Sequence, residues 1–161
     1  MTDFLVPAYV QLQALGSVTL AMILGALIGV DREIANRPAG LRTHMLVAGA
    51  AALLVSLGDV LIEHFNMELN NKNLLQSDPI RIIGAVITGV SFLGAGTIIH
   101  GESDNSVKGL TTAASLLFVA GVGICVALSQ LVLATGVTVL ALLTLRGLRP
   151  IERWLGPNGQ S

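Results

Sequence analysis

The chain has 161 residues, of which 53% are hydrophobic and only 12% charged, and its net charge is −1. That balance excludes an ordinary soluble domain and leaves no basic field for nucleic acid. Mean hydropathy is +0.77. The single cysteine, Cys125, lies inside an apolar run, which leaves no basis for a disulfide or a paired-cysteine metal site within the chain.

The first element is an apolar segment. No charge occurs from Phe4 to Val30, and a membrane-spanning helix takes about 20 such residues. A span near 9–30 is expected, behind an external N-terminus of residues 1–8. It reads as a span rather than a cleaved signal, because it lacks a basic leading region and runs straight into charges. Gly25 and Gly29 form a G-x-x-x-G pair on it, the spacing that lets lipid-embedded helices approach closely.

The junction that follows concentrates charge. Asp31, Arg32, Glu33, Arg37 and Arg42 fall within fourteen residues that end at His44. Orientation alone calls for the arginines, which would hold this loop in the cytoplasm, and Glu33 would pair with Arg37 one turn on. Asp31, Glu33 and His44 are not required for that. Carboxylates at a helix C-terminus oppose its dipole and need a partner. Arg42 and His44, in the first turns of the next helix, are the expected ones. Such a network suits cation binding, proton relay or a pH response. Two carboxylates with water would suit Mg²⁺, but so few residues do not define an octahedral site, and no cofactor is expected.

The second span is expected near 40–62, with Pro38 in its first turn. An external loop follows from Glu63 to Ser77, carrying His64, Glu68, Asn70, Asn71 and Asn73. The third span, near 79–100, starts at Pro79 with Asp78 as N-cap and ends at Gly101. It is rich in small residues: Gly84, Thr88, Gly89, Ser91, Gly94, Gly96 and Thr97. Each glycine costs about 1 kcal/mol of helix propensity against alanine in water. That cost points to close packing, a kink or exposed backbone.

From Gly109 to Leu145 there are 37 uncharged residues. A single helix of that length would be roughly 55 Å, nearly twice a hydrocarbon core. It must fold back, with the turn at Ala127, Ser129 and Gln130, giving spans near 108–127 and 129–147. Asn105 or Ser106 would cap the fourth. Gly109 with Ala113 and Gly123 with Ala127 continue the small-residue spacing, while Thr111, Thr112 and Ser115 place hydroxyls in its first turns. A short cytoplasmic tail, 148–161, completes the chain.

The fold class expected is therefore an all-α integral membrane bundle of five transmembrane helices over 9–147. With the C-terminus in the cytoplasm, seven basic residues (Arg32, Arg37, Arg42, Lys108, Arg146, Arg149, Arg153) lie inside and two, Lys72 and Arg81, outside. The N-terminus would face outward. Such small-residue packing is compatible with a homodimer.

Several blocks in order carry a family resemblance: G-A-L-I-G-V-D-R-E, R-P-A-G-L-R-T-H-M-L-V, D-P-I-R-I, G-V-S-F-L-G-A-G-T-I-I and V-K-G-L-T-T-A-A-S-L-L. Together they cover roughly 15–147 and resemble the MgtC/SapB family of bacterial inner-membrane proteins, in which the position of Asp31 is more often Glu. The resemblance implies a multi-pass inner-membrane protein tied to magnesium homeostasis at low magnesium and to virulence through intracellular survival. It also implies links to membrane potential and to restraint of the proton-driven ATP synthase as a membrane partner. Carried over by motif, the functional candidates are Asp31, Arg32, Glu33, Arg42, Thr43, His44, Asp78, Arg81, Lys108, Thr111 and Thr112. Longer relatives add a soluble C-terminal domain, which this chain is expected to lack.

Two functions are weighed. One is a non-enzymatic regulator that docks its helices on another membrane complex. The other is a small cation (Mg²⁺ or proton) or solute transporter or channel, with the third span, Thr111 and Thr112 along its path. No zinc-protease motif, nucleophile–base pair or phosphate loop supports catalysis, and on the third span only Thr88 and Ser91 offer polar groups near mid-membrane.

Overall fold

A computed structural model of the chain describes residues 7–68, 79–100 and 107–147. It contains five α-helices: α1 Ala8–Ile34, α2 Leu41–Glu68, α3 Pro79–Gly96, α4 Leu110–Ala127 and α5 Leu131–Gly147. Between α3 and α4 a small antiparallel ladder pairs β1 (Ile99–His100) with β2 (Val107–Lys108). α1, the Leu41–Ile62 part of α2, and α4 are each long and apolar enough to cross a membrane. α3 and α5, with 18 and 17 residues, sit at the lower edge of the roughly 17–25 that a span takes.

The expected spans agree with these helices to within a few residues, except for α2. It continues six residues past the expected end at 62, to Glu68. Residues 63–68 contain neither Gly nor Pro, so nothing stops the helix before the amide-rich run. Asn70, Asn71 and Asn73 lie outside the described residues, as do Asp78, Gly101, Asn105, Ser106 and the tail 148–161.

The helix ends show why the chain turns where it does. Asn36 takes φ 51 after α1. There the Arg37 N–H bonds the Arg32 carbonyl and the Asn36 N–H bonds that of Glu33, both at 3.0 Å. The same arrangement closes α4. Ser129 takes φ 60, and the Gln130 and Ser129 amides bond the Cys125 and Val126 carbonyls at 2.8 and 3.0 Å. Both are Schellman closures with a polar residue in the left-handed position. Pro38 is not in a first helical turn; it lies in the bend before Leu41. Gly109, at φ 94, is the N-cap of α4 and makes no side-chain cap bond. Its role is this turn rather than helix packing, since any Cβ there would run into the Thr97 carbonyl.

α4 occupies the centre and packs against each of the other four helices. A helix apolar all round belongs inside a bundle, and Leu116, Val119, Ala120 and Val122 are at most 1% exposed. α1 and α2 meet through the expected glycine pair. A Cβ on Gly25 would stand 2.7 Å from the His44 carbonyl oxygen, and one on Gly29 would stand 2.7 Å from the Leu41 Cα. Gly123 lies as closely against Ala48, so α2 is held between α1 and α4. On α3 only Gly94 packs inside the chain, against Ala113. Gly84, Gly89 and Gly96 would meet nothing within 4 Å, so among the described residues they make no close helix packing.

Gly25→Ala should therefore lower stability by about 1–3 kcal/mol through overpacking against backbone. Gly84→Ala should cost nothing and add up to about 1 kcal/mol of helix propensity. Thermal unfolding of the two variants in detergent measures the contrast, and equal shifts would contradict the packing.

Candidate functional site

The last turn of α1 carries Asp31 and Arg32, both buried, at 1% and 3% exposure. Charge cannot rest unpaired in an apolar interior. Asp31 Oδ2 accepts a bond from Arg32 Nη2 at 2.7 Å, and Asp31 Oδ1 accepts one from Arg146 Nε at 2.9 Å. Arg146 ends α5 and is half exposed. One carboxylate thus ties the end of α1 to the end of α5. Arg32 Nε is buried with no hydrogen-bond partner among the described residues.

Two residues on, Glu33 turns back over the loop. Its Oε2 accepts the Leu41 N–H at 2.9 Å, one of the amides that a helix start leaves unsatisfied. A negative group there also suits the positive end of the dipole. Gly40 makes room for it, since any side chain at that position would collide with the Glu33 carboxylate.

His44, one turn into α2, is fully buried. Its Nδ1 lies 2.8 Å from the Gly40 carbonyl, which can only accept, so Nδ1 donates. Its Nε2 lies 3.0 Å from Ser115 Oγ on α4, and that hydroxyl also lies 2.8 Å from the Thr112 carbonyl. With a neutral ring, the one hydroxyl proton serves two acceptors. A cavity of about 150 Å³ adjoins, lined by Ile28, Thr111, Ser115, Phe118 and Thr144 among others.

This geometry can be set beside known proteins. The family model described as "MgtC family" matches residues 18–154.

The chain belongs to the MgtC family.

An uncharacterised protein of Haemophilus influenzae is 35% identical over 141 residues, covering 88% of this chain and 58% of that protein. Protein MgtC of Salmonella typhimurium is 39% identical over 122 residues, covering 76% and 46%. Protein SapB of Bacillus subtilis is 29% identical over 150 residues, covering 93% and 62%. The chain therefore spans roughly half to three-fifths of these relatives' lengths. No solved structure gives a significant match. Family and apolar helices together make it a membrane protein.

In this MgtC-family chain the candidate residues separate. Asp31, Arg32, His44 and Thr112 gather in the buried junction, with Glu33 at its rim. The expected partnership across the turn is replaced. Asp31 is held by Arg32 and Arg146 rather than Arg42, and Glu33 caps α2 rather than pairing with Arg37. Arg42, Thr43 and Lys108 are exposed and stand apart from the cluster, and Thr111 is exposed at the mouth of the cavity. Arg81 lies at the opposite end of the bundle, near the start of α3. Arg146 and Ser115 are the residues that sequence reasoning left out of the site. The signal for Arg146 was its position as the first charge after the long uncharged run.

The Mg²⁺ reading does not fit these carboxylates. Both Asp31 oxygens take guanidinium N–H groups, and Glu33 Oε2 takes an amide. Among the described residues no three His, Cys, Asp or Glu side chains group as metal ligands. Chemically the junction is an ion-paired fastening.

Asp31→Ala should lower stability by about 3–5 kcal/mol, because it strands the buried Arg32 charge. Arg146→Ala should cost clearly less, since its side chain is 56% exposed and Arg32 still faces Asp31. Denaturant titration in detergent orders the two, and a reversed order would refute the arrangement.

Proposed function

We propose that this chain is a non-enzymatic, multi-pass protein of the bacterial inner membrane that regulates another membrane complex by docking through α3. One observation carries this reading: α3 has a small-residue face that nothing among the described residues covers. Gly84, Thr88, Ser91 and Ala95 recur at helical spacing on one side, and all are exposed. A Cβ on Gly84 would find open space. The Thr88 hydroxyl is turned onto the Gly84 carbonyl at 2.8 Å, which leaves the face smooth. In lipid, such faces allow a second helix to approach closely.

The distribution of charge supports an orientation with the junction in the cytoplasm. Arg32, Arg37, Arg42, Lys108 and Arg146 lie at that end, and Arg81 lies at the other. The family resemblance supports a role in low-magnesium adaptation and membrane potential, with the proton-driven ATP synthase as the first partner to test. Transport has less support. The described core is mostly apolar through mid-bundle; the buried charged groups lie at one end, and the buried mid-helix hydroxyl of Thr138 is spent on the Ala134 carbonyl of its own helix.

A photo-crosslinking residue at Thr88 should capture a heterologous membrane protein in native membranes, whereas one at the outward Leu140 of α5 should not. Adducts only with lipid or with the chain itself at Thr88 would sink the reading. Liposomes holding the purified protein should stay as tight to Mg²⁺ and protons as empty ones. Flux abolished by Asp31→Asn would decide for a transporter instead.

A further inference from the structure

α3 has a second side, which faces α2 across a gap. Ile82 lies against Gly58 at the outer end, and residues of both helices line the gap. The gap is a groove of about 820 Å³, within the roughly 300–1,000 Å³ range of ligand pockets. Along α2 it extends from Leu46 to Leu61, which at about 1.5 Å per residue is roughly 22 Å. Its walls are long aliphatic side chains over the small floor residues Ala50, Ala85 and Gly89, and among the described residues its only charged lining residue is Arg81.

We propose that this groove binds one phospholipid with an anionic headgroup, an acyl chain lying along the groove and the phosphate on Arg81. Charge complementarity selects this occupant. Arg81 is exposed at the outer end of the groove and has no hydrogen bond or ion pair among the described residues. It lies at the end of the bundle opposite the other described cations, where orientation does not call for a positive charge. A guanidinium at the mouth of an apolar slot fits a ligand with a phosphate at one end and a hydrocarbon chain behind it. A second copy's helix is less well suited. The smooth face of α3 points away from the groove, and the groove walls are flexible Leu and Ile side chains rather than a flat small-residue surface.

The test uses the full chain in nanodiscs of equal phosphatidylglycerol and phosphatidylethanolamine, with lipid retained on release counted by native mass spectrometry. Wild type should hold one lipid and favour phosphatidylglycerol about five-fold, the factor equivalent to about 1 kcal/mol per cation at an anionic surface. Arg81→Gln should bring the preference to parity. Gly89→Leu on α3 and Ala50→Leu on α2 should each displace the lipid, and unchanged thermal unfolding would show that the bundle is intact. A Cβ at Gly89 would meet nothing within 4 Å. The proposal is overturned if wild type retains no lipid, as simple snorkelling of Arg81 would give. It is equally overturned if the preference survives Arg81→Gln, if both groove-filling variants keep the lipid, or if Gly89→Cys joins two copies stoichiometrically.

Discussion

The carboxylate of Asp31 is the constraint around which the bundle closes. A buried anion at a helix C-terminus faces the unfavourable end of the dipole and has no water to screen it. It is therefore tolerated only where cations reach it. Arg32 supplies one from the adjacent position, and Arg146 supplies the other from the end of α5. Those bonds set where α5 must end relative to α1. With the end of α1 so placed, Glu33 meets the first amide of α2 and His44 faces Ser115 on α4. Four helices are thus joined at one end by polar contacts, while apolar packing around α4 fills the rest.

α3 takes no part in that fastening among the described residues. It is held by Val86 and Val90 in the apolar core, by Ala113 against Gly94, by Ile82 against Gly58, and by the short ladder leading into α4. The rest of its surface, Phe92 and Leu93 included, is exposed and open to a partner. This gives a physical sense to its composition. Glycines on α1 and α4 are used inside the chain to bring backbones together, whereas Gly84 and Gly89 leave room for something else. One side of α3 suits a helix and the other suits a lipid chain, so the two proposed contacts would share an element without competing for the same atoms.

Much of the architecture was legible in order. Helix number, approximate ends and the fold-back at Ser129 follow from hydropathy, length and turn chemistry, all of them local. The glycine pair of α1 was also legible, because G-x-x-x-G spacing has one geometric meaning. The functional junction was legible only as a location. Asp31, Arg32 and His44 were marked by charge in an apolar chain, but their partners were not, and proximity in sequence wrongly favoured Arg42. The glycines of α3 were marked as packing residues like those of α1, although a small residue does not say whether the facing helix belongs to the same molecule.

What the amino-acid sequence determined alone, then, was the set of helices and the end at which their polar residues lie. Those properties depend on transfer into lipid and on backbone preferences over a few residues. Only the tertiary structure decided that α4 is central, that Asp31 meets Arg146 across 115 positions and His44 meets Ser115 across 71, and that among the described residues α3 stays outside that polar fastening. Each of these depends on how helices rotate about their axes as they pack. A rotation is settled by all neighbours at once, and no short stretch of sequence contains that information.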